Sequence, residues 1–280
     1  LKYALLIKMI KIKNKIYDCV TFFQENLQFE LRFNILKEVV DKFVVCESIF
    51  DHRGNKKKIN FNKENYSNYA DKIDHVVLKE PFPKKNIPWE NQALQREYIF
   101  EGLKNLDESD LVMFSDPDEI PNPDTLKNLI LKKKYGVFFQ DMFTYKFNIF
   151  NKFESPWEGT RICKKKDLKS IDWLRQKIVS KNLKYPFWRF DKEKNIQIIN
   201  NGGWHFNYLL TPEQISKKLR SLAETRWDKE EFYGIEIIKK KIKDKIDLFD
   251  RGHIYNSVDP EKYLPKFIIN NKSKYLDWID

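Results

Sequence analysis

Residues 16–23 (IYDCVTFF) form a short, nearly unbroken apolar run, the pattern of a strand buried on both faces. After it, Leu27, Leu31, Ile35 and Val39 recur every four residues, which predicts an amphipathic helix over 27–40. The couplet then repeats. Residues 42–48 (KFVVCES) read as a second strand, 51–60 as a polar, basic loop around Gly54, and 74–79 as a third strand. Pro81, Pro83 and Pro88 punctuate a loop, and Pro88 suits the first turn of a helix that continues over 89–103. A fourth strand is expected at 111–115, a helix at 123–134, and one long strand or a bent pair at 136–150. Strands alternating with helices predict an α/β fold: a mostly parallel sheet with helices on both faces. In such a sheet the ligand crevice lies beyond the carboxyl ends of the strands.

The second half is less regular. Residues 157–166 and 187–191 read as loops or short strands, and 196–210 as a strand interrupted by Asn200, Asn201, Gly202 and Gly203. A helix start is well specified at Thr211: the threonine caps, Pro212 takes the first turn and Gln214 completes a capping box, so 211–224 is helical. Residues 235–249 predict a basic helix, and the C-terminal region is helical. No repeat or linker interrupts the chain, so residues 1–280 are expected to form one domain.

Composition narrows the class. With 280 residues, 41% apolar and 15% aromatic, the chain can bury a large core without disulfide staples, and it is not disordered. No apolar run approaches the roughly 18 residues that span a membrane. Residues 1–15 mix Ala4, Leu5, Leu6 and Ile7 with lysines and are not read as a signal peptide. Cys19, Cys46 and Cys163 have no zinc spacing; buried free thiols are expected, which suits a reducing, cytoplasmic compartment. The net charge is +11, carried mainly by lysine. A solvated basic surface accounts for it, as does attraction to an anionic ligand such as a nucleotide diphosphate or acidic glycan. No nucleic-acid motif accompanies the charge, so nucleic acid is not an expected partner. The lysines of 239–245 could meet an anionic membrane surface, but Ile235, Ile238, Ile242 and Ile246 supply an ordinary apolar stripe, and a solvated helix face is the expected reading.

The sharpest local chemistry is LVMFSDPDEIPNPD at 111–124. A buried strand runs into Asp116, Pro117, Asp118 and Glu119. In an extended chain Asp116 and Asp118 point the same way. Three carboxylates within four residues repel one another unless a cation sits among them. Hard oxygens suit Mg²⁺ or Mn²⁺, held together with a substrate diphosphate. The plain alternative is an acidic loop that caps the next helix.

Five stretches carry a family resemblance: YDCVTFFQENLQFELRFN (17–34), VVDKFVVCES (39–48), WENQALQRE (89–97), FSDPDEIPNPD (114–124) and GGWHFNYL (202–209). In this order they resemble glycosyltransferase family 17, whose best-known members add the bisecting β1,4-linked N-acetylglucosamine to N-glycans. The resemblance runs from about Tyr17 to Glu224 and is patchier on the acceptor side. It implies a GT-A, Rossmann-like fold, a UDP-sugar donor, a divalent cation and inversion at the anomeric carbon. The donor half would lie at about 15–135 and the acceptor-side half at about 136–280. Asp118 would be the leading metal ligand, with Asp116 on the ribose or on the metal through water. Glu119 would support either or merely cap a turn, and His205 would complete the metal shell or be a core histidine. Thr21, Phe22, Phe23 and Glu25 would hold the nucleotide, with Phe22 or Phe23 on uracil and at least one of them in the core. Glu47 would meet ribose. Arg96 would meet the diphosphate or else pair with Glu97 or Glu101. Gly202 and Gly203 would let the backbone pass close to a ligand.

Inversion needs a carboxylate base for the acceptor hydroxyl. Glu158 is the first candidate, beside Trp157 as a sugar platform, with Asp141 and Asp191 as rivals. The expected function is transfer of a sugar, N-acetylglucosamine by resemblance, from a UDP-sugar to a glycan hydroxyl. Two other classes compete. One is a non-catalytic carbohydrate binder using Trp157, Trp173, Trp188 and Trp204. The other is a Mg²⁺-dependent nucleotidyl- or phosphotransferase, weakened because no phosphate-cradling Gly-Lys-Ser/Thr loop is present.

Overall fold

The computed structural model describes residues 14–85 and 87–280. Among them, strands β1 (Ile16–Phe22), β2 (Lys42–Ser48), β3 (Ile73–Leu78) and β4 (Leu111–Ser115) pair in parallel in the order β4-β1-β2-β3. The remaining strands are β5 (Glu119–Pro121), β6 (Tyr135–Thr144), β7 (Ile149–Phe150), β8 (Trp157–Lys164), β9 (Ile196–Ile199), β10 (Gly203–Asn207) and β11 (Asn256–Ser257). β8 runs antiparallel to both β4 and β6 and joins the two halves into one sheet. β9 and β10 lie parallel to successive parts of β6. The mostly parallel arrangement therefore holds for the first half, and the second half mixes directions.

Alternate side chains of β1 and β2 feed two cores, as a sheet covered on both faces requires. Val20, Phe22, Phe43 and Val45 pack with Phe29 and Phe33 of the Asn26–Leu36 helix and with the C-terminal segment around Ile268 and Tyr275. Cys19, Val44 and Cys46 pack on the other face against Ile99, Leu103, Ile171 and Leu174. All three cysteines are buried and free, and burial pushes the Cys46 and Cys163 thiols up to about 12, so both are unreactive. A third core beneath Pro212–Ser221 and Ile235–Asp244 holds Ile215, Leu219, Phe232 and Ile238.

Several boundaries move. The expected 123–134 helix stops after Pro123–Lys127, because Lys132 and Lys134 give their amides to Gln197 and Asn195 as the chain leads into β6. The 235–249 helix ends at Asp244, where Lys245 turns left-handed (φ 53°). The 89–103 helix is α-helical over Pro88–Glu97 and tightens to a 3-10 turn over Tyr98–Leu103. Residues 136–150 are the bent pair, β6 and β7, while 157–166 forms β8 and 187–191 no strand. The Thr211 capping box forms as read, with both reciprocal bonds present. Among the described residues no helix is long and apolar enough to cross a membrane.

Gly202 and Gly203 let the chain step from β9 to β10. A Cβ on Gly202 would strike the Phe139 backbone, and one on Gly203 (φ 116°) would strike the Ile120 carbonyl. The close approach is thus to β6 and β5, not to a ligand.

Beneath the acidic loop lies a fully buried ion pair. Arg32 stands on the core-facing side of its helix and donates from Nε and Nη2 to the two Asp18 oxygens, each at 2.6 Å. Nη2 also donates to Ser115 Oγ (2.7 Å), and Nη1 to the Glu119 carbonyl. The guanidinium ties β1, the end of β4 and the start of β5 together. A buried charge stripped of its partner costs about 3–5 kcal/mol, whereas replacing both by apolar groups costs far less. Arg32→Met should therefore lose about that much in a urea melt, and Asp18→Leu combined with Arg32→Met should recover part of it. Equal stability of Arg32→Met and the parent chain would remove the pair's role.

Candidate active site

A cavity of about 280 Å³ opens at the carboxyl ends of β1 and β4. The end of β1 and the turn after it supply Thr21, Phe22, Phe23 and Glu25. Phe22 belongs to the core, edge-on to Phe61 and Phe29. Phe23 is the ring at the rim, with Lys57 and Lys217 ammonium groups 5.4 and 5.5 Å from its centroid. Glu25 uses one oxygen to accept from the Phe23 and Gln24 amides (3.0 and 2.9 Å), which fixes the turn.

Asp116 and Asp118 both line the cavity. Asp116 accepts from Arg175 Nε and Nη2 at 3.0 and 2.6 Å, and from Arg96 at 3.4 Å. Burial would raise its pKa, but the two guanidiniums win and hold the carboxyl well below the usual range. Pairing of β10 with β5 sets His205 opposite Glu119, and the Phe206 amide donates to the Asp118 carbonyl. That brings His205 Nε2 to 3.5 Å from Asp118 Oδ1, while Lys218 Nζ lies 3.3 Å from Oδ2. Burial again opposes ionisation of Asp118, and Lys218 and His205 outweigh it. Burial likewise disfavours charge on Lys218 and His205; Asp118 overrides it in both, so their pKa values rise.

The acidic loop meets only part of what a metal needs. Glu119 is fully buried and spent: Oε1 accepts from Trp157 Nε1 (2.7 Å) and Oε2 from the Asp116 amide (3.2 Å). It braces the loop and is not a metal ligand. Among the described residues no three His, Cys, Asp or Glu side chains converge on one point. Asp118 and His205 do face each other at the cavity wall, through Oδ1 and Nε2, and Asp118 is held ionised. Mg²⁺ and Mn²⁺ commonly sit on one or two protein carboxylates plus substrate phosphates. The residues fit that arrangement, with Asp118 and His205 as the protein's share.

Other sequence-derived candidates fall outside the cavity. Glu158 sits on β8 away from the cavity lining, and its carboxylate accepts from the Val179 and Ser180 amides (2.6 and 3.2 Å), so it caps the Val179–Asn182 helix. Glu47 accepts from Lys57 and from the Asn60 and Phe61 amides, which anchors the 51–60 loop and leaves nothing for ribose. Arg96 bridges Asp172 (2.8 Å) and Asp116 behind the cavity; it pairs with neither Glu97 nor Glu101. Asp141 is exposed on β6 outside the cavity, and Asp191 is an exposed partner of Arg189. Of the four tryptophans weighed as platforms, only Trp157 lines the cavity.

Sequence reasoning missed Arg175, Lys218 and Glu154. Lys218 was within reach: it is three residues after buried Ile215 and one before buried Leu219, on the inward face where Lys217 is not. Glu154 lines the cavity beside Trp157; its carboxylate accepts from Asn151 Nδ2 (2.9 Å) and, on both oxygens, from Arg251 (3.1 and 3.3 Å). Glu154 carries no local signal, since only the turn between β7 and β8 brings it there. The helix bearing Lys218 is latched by long-range bonds: Gln24 to the Gln214 carbonyl and Arg53 to the Leu219 carbonyl.

The model of "Glycosyltransferase family 17" matches residues 7–275. The rat and human β-1,4-mannosyl-glycoprotein 4-β-N-acetylglucosaminyltransferases are each 25% identical over 95% of the chain. The chain spans about half the length of these relatives, 54% and 55%. Two solved structures overlap loosely. One, a glycosyltransferase involved in glycosylating the major capsid of PBCV-1, has a TM-score of 0.31 at 11% identity, covering 67% of this chain and 82% of that one. The other, the inositol-1-phosphate CTP transferase of T. maritima, has a TM-score of 0.35 at 14% identity, covering 84% and 99%. Superpositions this loose add nothing to the reading of the site. The family match extends over nearly the whole sequence and includes both the acidic loop and the Gly-Gly-Trp-His segment that folds against it: this chain belongs to glycosyltransferase family 17.

Proposed function

We propose that this chain transfers a sugar, N-acetylglucosamine, from a UDP-sugar to a glycan hydroxyl with inversion at the anomeric carbon. The observation that carries the reading is the convergence of Asp116, Asp118, His205 and Lys218 on one cavity at the ends of the parallel strands. The donor sugar and its nucleotide rest on the relatives' names and the family.

In this reading Thr21 and Phe23 flank the nucleoside, with Phe23 stacking on uracil. Lys57 and Lys218 reach the cavity as the chain's own cations for the diphosphate. A divalent ion, Mn²⁺ or Mg²⁺, would be held by Asp118 and His205 and would supply charge neutralisation for the leaving diphosphate. Glu154 takes the role assigned from sequence to Glu158. It accepts the proton of the acceptor hydroxyl as that oxygen bonds to the anomeric carbon, and the bond from that carbon to UDP breaks on the opposite face. Trp157 offers the neighbouring apolar surface for the acceptor.

Three measurements test it. Incubation with UDP-N-acetylglucosamine and a complex glycan should give a product heavier by one N-acetylhexosamine; hydrolysis alone would move the activity to water. Glu154→Gln should lower turnover by about two to four orders of magnitude, the usual worth of a positioned base, while the melting shift produced by UDP stays the same. Near-normal turnover in that variant would return the base to another group. At a hundred times its Kd in Mn²⁺, UDP should add about 2.7 kcal/mol of stability. EDTA or Lys218→Gln should shrink that shift, and an unchanged shift in EDTA would take the ion away from the diphosphate.

A further inference from the structure

Between the Val179–Asn182 helix and β9 the chain makes a loop, KYPFWRFDKEK, that the transfer chemistry does not use. Its tip exposes Phe187, Trp188 and Phe190 at 81%, 60% and 92%. One exposed apolar residue is ordinary, but three large aromatics within four positions are not, because each leaves a large apolar area in water.

The loop is built, not slack. Asn182 Oδ1 accepts from the Glu193 amide (3.0 Å), and Lys194 Nζ donates to the Asn182 and Tyr185 carbonyls (2.6 and 2.7 Å). Glu158 clamps the preceding helix start. Phe187 and Trp188 meet edge to face at 5.1 Å. The tip is therefore held outward by its own base.

Charge identifies the occupant. Lys181, Lys184, Arg189, Lys192 and Lys194 lie along the segment, against Asp191 and Glu193. Lys133 joins them at a shallow hollow next to Phe187 and Phe190. Asp191 pairs with Arg189 (2.8 Å) and Lys192 (3.4 Å) and Lys194 faces the loop's own base, which leaves the exposed Lys133, Lys181 and Lys184 to set the sign of the patch. A second copy of this chain, itself at +11, would bring like charge to the patch. A bilayer with anionic headgroups satisfies both parts: aromatic side chains enter the boundary between headgroups and acyl chains, and lysines meet the phosphates. We propose that the 184–194 loop docks the protein on an anionic lipid bilayer. The basic 239–245 stretch is a weaker candidate, since Ile238 is buried and the stretch carries no aromatic ring.

The test is co-sedimentation with phosphatidylcholine vesicles, with and without phosphatidylserine. Binding is expected with phosphatidylserine and should weaken as salt rises. Phe187→Ser combined with Trp188→Ser and Phe190→Ser should lower partitioning about tenfold or more. These positions are exposed, so the melting temperature and the UDP-induced shift should not move. Trp188 emission should shift to the blue on binding, read as the difference from Trp188→Phe. Binding that survives the triple variant, or that is equal on neutral vesicles, would overturn the proposal. So would a concentration-dependent dimer, seen by sedimentation velocity without lipid, that the triple variant abolishes; the loop would then be a self-association surface.

Discussion

The fully buried pairing of Arg32 with Asp18 is the constraint on which the site depends. Asp18 lies on the first strand and points into the same face as Phe22 and Val20. A carboxylate there is unaffordable without a partner, and the guanidinium that neutralises it has donors to spare. Those donors reach Ser115 and the Glu119 carbonyl, which lie on either side of Asp116-Pro117-Asp118. Ser115 in turn pairs with Thr160 on β8 (2.7 Å). One ion pair thus positions the acidic loop relative to the first strand, where the nucleotide is proposed to bind.

Both aspartates of the acidic loop meet cations. Asp116 is met from behind by Arg175 and Arg96, and Asp118 from the front by Lys218 and His205. Behind them Arg161 is itself deeply buried. Burial first, and the nearby Arg175 charge second, push its pKa down to about 9 despite the surrounding carboxylates. The division of labour is geometric. Arg175 and Arg96 meet the loop from outside the cavity lining, and Lys218 and His205 meet it from within that lining. Glu119, third in the acidic run, braces the loop through Trp157 and the Asp116 amide.

Glu158 and Glu154 illustrate how little separates a scaffold from a functional group. They are four residues apart and flank Trp157. β8 begins at Trp157, so its pleat sends Glu158 toward the Val179 amide, while Glu154 belongs to the turn that faces the cavity. Reading 157–166 as loop or short strand leaves open which way its side chains turn. A strand's period of two decides it.

The order of strands and helices in the first half, the acidic loop at a strand end, the capped Thr211 helix and the family were all written in local pattern. Each depends on residues within a few positions of one another, where hydrophobic spacing, capping and motif chemistry act. The mixed direction of the second half, the pairing of β9 and β10 along β6, and the partners of each carboxylate were not. They depend on contacts across about a hundred residues, such as Lys218 with Asp118 or Arg32 with Glu119; helical spacing marks Lys218 as the lysine that turns inward but not the carboxylate it meets. The exposed aromatic tip falls between the two. Its residues are plain in the sequence, yet only packing could decide that they face water rather than the core, because an apolar run carries no label for which side the rest of the chain will cover.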